Sequence, residues 1–378
     1  MLGVVAAAFA WAVMLTGTAN AAVWQLVGSA SPNGYKNFLL SVAHVPGTNQ
    51  LWSVGYTLDN AGPDHSLIEH SNGAAFAVSA IPRPGLFEQL NGVAAVSPAH
   101  AWAVGGTFVH GSLPLIFTWD GAAWQRTPPP LPAGADGGTL ISVRAFSATD
   151  VTAVGTWFSS TAEGGPLIEH WNGHVWSASA GTDPTGCQAT FTSLAAVPGS
   201  PKRFAVGFCL NADGTSTQAV IEQSSGGAWS SAAANAPAQS LLQSITPVSG
   251  SDVWAVGSTT AMTGESRTLA EHWDGTSWSV VPTPNPSGND WLQSIIRVPG
   301  TTTLWAVGSA ITPTGVIGIT ERWTGSAWQA IAPVRPSGES NLEGVAAAPG
   351  GVWAVGELYP ASAGSGPSTR TLAERAGG

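Results

Sequence analysis

A short hydrophobic run that closes in Val-Gly occurs seven times along this chain. It reads LWSVG (51–55), AWAVG (101–105), VTAVG (151–155), RFAVG (203–207), VWAVG (253–257), LWAVG (304–308) and VWAVG (352–356). Successive closing glycines stand 50, 50, 52, 50, 51 and 48 residues apart. A period of that size, sustained along the chain, belongs to architectures in which one supersecondary unit is copied and each copy buries the next.

Each unit reads as four short strands. The first is of the type LNGVAAV (90–96) or LISVRAF (140–146), and a turn leads to the Val-Gly strand. A polar loop of variable length precedes the third strand, as in LIEHW (167–171). An Asp-Gly or Asn-Gly turn then opens the fourth strand, which carries Trp124, Trp176, Trp229, Trp278 or Trp328 near its start, and a Pro-rich linker follows. Short runs of Val, Ile, Trp and Thr bounded by Gly, Pro, Asn and Asp are strands. Asn-Gly and Asp-Gly are hairpin turns because they tolerate positive φ.

Alternation along VWAVG puts Val253, Ala255 and Gly257 on one side and Trp254 and Val256 on the other, and neither side is polar. Strands dry on both faces fit sheets stacked between like sheets. The expectation is therefore an all-β, seven-bladed propeller of four-stranded antiparallel blades. Small residues in GVAAV (92–96) and GVAAA (344–348) suit the crowded axis, and the fourth-strand Trp suits the wider outer wedge.

The seventh unit stops at TLAERAGG (371–378), after its third strand. VWQLVGSASPNG (23–34) matches VWSASAGTDPTG (175–186), so the start of the chain supplies the missing strand, with Trp24 in the place of Trp176. The expected blades are 38–85, 86–135, 136–186, 187–239, 240–288, 289–338, and 340–378 plus 22–34, in one domain spanning 22–378. Closure covers the edge that an unfinished last blade would expose to aggregation, and a monomer is expected.

Gly (47) and Pro (27) are abundant, but so is Trp (18), which separates this chain from a disordered Gly/Pro polymer. Only 9% of residues are charged, the net charge is −10, and no basic run occurs. That argues against nucleic acid and anionic membranes as partners. LGVVAAAFAWAVMLTGT (2–18) is uncharged and apolar, and Ala19-Asn20-Ala21 has the small-x-small form of a cleavage site. Residues 1–21 are expected to be a signal peptide, giving a secreted protein, although no Lys or Arg precedes the apolar run; the alternative is an uncleaved anchor. No other stretch is long enough to span a bilayer. Cys187 and Cys209 flank a hairpin and are expected to form a disulfide, the alternative being two buried thiols.

The WAVG strand and the HWDGTSW hairpin (272–278) resemble the repeat of secreted bacterial propellers. More widely they are similar to kelch/galactose-oxidase-type and Asp-box propellers. The Asp-box likeness rests on Asp120-Gly121 with Trp124, Asn172-Gly173 with Trp176 and Asp274-Gly275 with Trp278. It implies the propeller fold and raises sialidase-like hydrolysis, which in that family uses an arginine triad and a Tyr–Glu pair. Here Tyr occurs only at 35, 56 and 359, and the arginines follow no such motif. The copper chemistry of galactose oxidase needs a Tyr–Cys crosslink, and neither Cys187 nor Cys209 has that context. No cofactor, no metal and no catalytic residue is assigned.

Glu69, Glu169, Glu222, Glu271, Glu321 and Glu374 share one position on the third strand, and His70, His170 and His272 follow three of them. Such groups could do acid–base work or bind metal. A catalytic group is needed once, however, and a structural one in every blade, so these glutamates are expected to accept hydrogen bonds from a neighbouring turn or blade. The second unit has Phe117 and Thr118 there instead.

Fifteen of the 18 Trp residues fall on repeat positions; Trp11, Trp157 and Trp291 do not. The loop after the second strand and the linker after the fourth emerge on one face. That face is expected to carry Tyr56, Asp64, His65, Trp157, Glu163, Arg267, Asp290, Trp291 and Tyr359, as a ligand-binding set for a glycan or a protein. The alternative for Trp157 and Trp291 is packing beneath their loops. The expected function is a non-enzymatic binding scaffold, the alternative an extracellular carbohydrate-active hydrolase or lyase.

Overall fold

The computed structural model describes residues 23–60, 62–82, 87–108, 112–161, 164–182, 187–211, 214, 216–226, 228–361 and 368–377. The segment read as a signal peptide lies outside them. The chain is a seven-bladed propeller of seven four-stranded antiparallel sheets. Blade 1 runs Lys36–His44, Leu51–Leu58, Asp64–Ser71, Phe76–Val78, from the axis outwards, and blades 2–6 repeat that order.

Blade 7 is built from both ends of the chain. Its first three strands are Gly338–Ala348, Gly351–Pro360 and Arg370–Ala376, and its outer strand is Trp24–Leu26. The register is Trp24↔Ala376, Gln25↔Arg375 and Leu26↔Glu374, and the Val27 amide adds a bond to the Ala373 carbonyl at 2.8 Å. The chain then crosses to blade 1, and on the way the Thr371 hydroxyl donates to the Ala30 carbonyl at 2.6 Å.

The core lies between blades. Seven buried apolar clusters each combine residues of two adjacent blades. A second-strand aromatic meets the outer aromatics of the next blade: Trp52 with Trp119 and Trp124, Phe204 with Trp273 and Trp278, and Trp254 with Trp323 and Trp328. Trp24 takes the same place against Trp305, edge to face at 5.4 Å between ring centroids. Offset and edge-on contacts of this kind add to the area that the rings bury.

The closing glycine of each unit has a steric cause. Every inner strand slips register by one residue opposite it, as at Leu39/Ser41, Leu90/Gly92 and Leu242/Ser244. The extra residue is a β-bulge. A Cβ on Gly55, Gly105 or Gly257 would collide with the carbonyl oxygen of Phe38, Gln89 or Leu241 on the bulged strand. The bulge residues themselves are Leu40, Asn91, Ile141, Thr192, Gln243, Gln293 and Glu343, and they ring an axial cavity of about 500 Å³. Three of them tie blade to blade: Asn91 Nδ2 to the Leu140 carbonyl, Thr192 Oγ1 to the Leu242 carbonyl, and Gln293 Nε2 to Glu343 Oε2.

Cys187 and Cys209 are bridged across the first two strands of blade 4. No helix of the described residues is long and apolar enough to cross a membrane.

Candidate functional site

The third-strand glutamates are structural. Five of them, Glu69, Glu169, Glu271, Glu321 and Glu374, are at most 1% exposed, and Glu222 is 2% exposed. In four blades the carboxylate accepts from the linker entering that blade: Glu69 from Ser29 Oγ at 2.8 Å, Glu222 from the Thr182 amide at 3.1 Å, Glu271 from the Asn235 amide at 2.7 Å and Glu374 from the Val334 amide at 3.1 Å. Thr182, Asn235 and Val334 each stand six residues after the outer-strand Trp of the preceding blade. At the same offset, blades 2 and 5 carry Pro130 and Pro284, which have no N–H to give. Both oxygens of Glu169 and of Glu321, the glutamates facing those linkers, lack a hydrogen-bond partner among the described residues. Burial raises their carboxyls to about 8, with Asp290 adding to Glu321, against about 7 for the amide-bonded Glu271 and Glu374. The linker from blade 1 has Pro82 at this offset, and the residue it faces is Phe117 rather than Glu.

The following histidines fill surface slots on the opposite side of the second strand. His272 stacks on Trp254 and contacts Asp252 at 2.9 Å, His170 contacts Asp150 at 3.0 Å, and His70 packs tilted against Trp52 with ring centroids 4.3 Å apart. The turn acids are local caps: Asp120 Oδ1 accepts from the Ala122 and Ala123 amides and Asp274 Oδ1 from those of Thr276 and Ser277. The Thr276 hydroxyl, donating to the same oxygen at 2.7 Å, and then the Ser277 and Thr276 amides hold Asp274 down at about 2.

The loop face receives the ends of the second strands and the starts of the first and third. Of the nine residues expected there, Glu163 lies outside the described residues. The others stand on blades 1, 3, 5, 6 and 7 and so encircle the axis rather than form one pocket. Trp157 is half-buried against the cluster between blades 2 and 3. Trp291 is half-buried between Asp290 and Leu292, both fully buried. The Asp290 carboxylate is taken up by its own turn, accepting from the Ser287 hydroxyl at 2.8 Å and the Gly288 amide at 2.8 Å. Arg267 and His65 make open surface pairs with Glu265 and Asp59.

Tyr56, Asp64 and Tyr359 belong to one electrostatic neighbourhood around blades 7 and 1. Burial, then the charges of Glu357, Asp64, Tyr359 and Glu343, pushes Tyr56 up to about 12. Burial and Glu357, Glu343 and Glu339 do the same to Tyr359. Glu343 and Glu357, which sequence reasoning did not single out, lie at its centre. Glu357 is 5% exposed, its Oε1 accepts from Asn341 Nδ2 at 2.6 Å, and its Oε2 has no partner among the described residues. Burial and the adjacent Glu343 raise it to about 8, and burial raises Glu343 as well. No Lys or Arg pairs with either carboxyl among the described residues.

Around the rest of the face stands an exposed apolar rim. Phe87, Phe108 and Leu113 come from the linker and loop of blade 2; Phe158, Leu210, Met262 and Ile311 come from blades 3, 4, 5 and 6. The other large exposed apolar side chains, Val23, Leu26, Val78, Val175 and Val280, lie on or beside outer strands. Phe87 has φ 61°, a left-handed conformation that a bulky residue rarely adopts. Its carbonyl accepts from the Phe108 amide at 2.8 Å, which joins the linker to the end of the second strand through the backbone.

No family model matches this sequence, and no curated protein matches it. Solved structures do share the fold. Ycf48 bound to a D1 peptide superposes with a TM-score of 0.57 at 13% identity, over 94% of this chain and 97% of that one. The WD40 β-propeller domain of Doa1 gives 0.56 at 13%, over 92% and 96%. Trypanosoma rangeli sialidase gives 0.51 at 11%, over 90% of this chain and 55% of that one. At these identities the likeness is one of architecture: the chain is a seven-bladed propeller structurally related to Ycf48, WD40 and sialidase propellers.

Proposed function

We propose that the protein is a secreted, non-enzymatic binding scaffold whose ligand, a glycan or a protein, sits on the loop face. The observation that carries this is the uneven distribution of exposed apolar side chains. Seven stand on the loop face, where the blades differ from one another, while the repeated acids that could do chemistry are buried under linkers. A rigid ring presenting variable loops is a common platform for recognition. Ycf48 with its D1 peptide is an instance of a propeller of this size holding a peptide. The bridged Cys187–Cys209 pair suits an oxidising compartment.

The alternative is an extracellular carbohydrate-active enzyme, and the specific feature that favours it is the Glu343–Glu357 pair with a carboxyl raised to about 8, as a general acid requires. A polysaccharide and glycan panel separates the two. Retention without turnover supports the scaffold. Turnover that is lost in Glu357→Gln supports the enzyme and overturns the scaffold reading.

A further inference from the structure

We propose that the axial cavity binds a small monocarboxylate with a hydroxylated body, its carboxylate on the Arg144 guanidinium and its hydroxyls on the amides of the bulge ring. This site is separate from the loop face and does not rest on the scaffold reading.

Arg144 departs from the repeat. It stands three residues after the bulge residue Ile141, and the other blades carry Ala43, Ala94, Ala195, Thr246, Ile296 and Ala346 at that offset. Of the described residues lining the cavity it is the one Lys or Arg. Its Nε donates to the Leu194 carbonyl, on the innermost strand of blade 4, at 3.2 Å. Its Nη1 and Nη2 make no hydrogen bond and no ion pair among the described residues. Burial lowers its pKa, yet the side chain is only half-buried, so the guanidinium lies deep in the ring and meets water through the cavity. Arg297 of blade 6 gives the contrast: its Nε and Nη1 are taken up by the Thr301 and Val248 carbonyls at 2.7 and 3.0 Å.

The open guanidinium decides the charge of the ligand. It stays protonated, and a cation set inside a protein without a counterion is costly. A carboxylate pairs with both terminal nitrogens at once. Glu343 is not that carboxylate. It belongs to blade 7, accepts from Gln293 Nε2 at 2.9 Å, and is raised by burial towards the neutral acid. One guanidinium balances one negative charge, whereas a phosphate or sulfate dianion would leave surplus charge within the ring.

The bulge ring decides the body of the ligand. Gln243 lines the cavity with an amide that makes no hydrogen bond among the described residues. Asn91 and Gln293 spend their amide nitrogens on Leu140 and Glu343 and keep their amide oxygens open. Groups that donate and accept side by side suit hydroxyls. Three residues of strand separate this ring from the level of Arg144, about 10 Å. A hexuronate with a hydrogen bond at each end spans that distance. The cavity, about 500 Å³, has the size of a small-molecule site.

The test is isothermal titration calorimetry on the folded chain with D-glucuronate, and with its methyl ester, D-glucose, propionate and inorganic phosphate alongside. The expected result is one D-glucuronate per chain, held at least tenfold more tightly than each of the others. Arg144→Gln should weaken D-glucuronate at least tenfold. Gln243→Ala should narrow its margin over propionate at least threefold. The ester removes the charge from the ligand rather than from the protein, so that comparison stands even where Arg144→Gln does not fold. The ester or D-glucose binding as tightly as the acid, phosphate binding more tightly, full affinity in Arg144→Gln, or no binding of D-glucuronate each overturns the proposal. All of these outcomes leave the loop-face reading untouched.

Discussion

At the residue scale the most informative positions are the six buried glutamates, because four meet an amide or hydroxyl and two meet a proline. An unpartnered buried carboxylate costs the fold its desolvation, so the residue is held as the acid. The linkage runs in one direction: folded values near 8 for Glu169 and Glu321 lie above the ordinary 4.5. Their stabilising protonation is complete below about pH 4.5 and lost as pH rises through about 8. The melting temperature should therefore fall between pH 5 and pH 8, and a curve that rises across that window contradicts the assignment. Glu169→Met, which copies the apolar choice at Phe117, should stabilise the protein at pH 8 by roughly 1–3 kcal/mol and remove part of that slope. Pro130→Ala offers the missing N–H. It should lower the titration midpoint of Glu169, followed by NMR, and its benefit should vanish in the Glu169→Met background, where only the entropic cost of losing proline, about 0.4–1 kcal/mol, remains.

At the element scale the strands, their order and the hairpin turns were legible because they repeat: Val-Gly, Asp-Gly and Trp return at a fixed spacing. The inner-strand bulge was not, since its extra residue is Leu, Asn, Ile, Thr, Gln or Glu in different blades and only its consequence, the closing glycine, is constant. Gly257→Ala should cost about 3 kcal/mol in denaturant unfolding, by forcing a methyl group against the Leu241 carbonyl. A loss below about 0.5 kcal/mol would mean the bulge is absent. The two acids of blade 7 were hidden for a related reason. Glu343 and Glu357 belong to different strands and carry no shared motif; their only signal is departure from the repeat, Glu357 following a closing glycine where blade 1 has Tyr56 and blade 5 has Ser258. Trp157 and Trp291 departed from the repeat too, yet theirs are half-buried positions, and the exposed aromatics proved to be Phe87, Phe108 and Phe158. The disulfide clips two strands of one blade across a separation of 22 residues. Replacing both cysteines by Ala should lower stability by about 3 kcal/mol, read as a shift in the denaturant midpoint.

At the scale of the whole molecule, stability is shared around a ring: each blade covers one neighbour and is covered by the other, and the two ends of the chain meet in blade 7. That closure keeps the loop face a single rigid platform, so any ligand that spans blades depends on it. The direct measurement is a double-mutant cycle between Trp24 and Trp305, which belong to opposite ends of the sequence and stand 5.4 Å apart. Each Trp→Ala variant should lose about 3–5 kcal/mol. The cycle should return a coupling energy of about 0.5–1.5 kcal/mol, the size expected of an edge-to-face aromatic pair. Additive losses with no coupling, or a Trp24→Ala variant as stable as the parent, would contradict the closed ring.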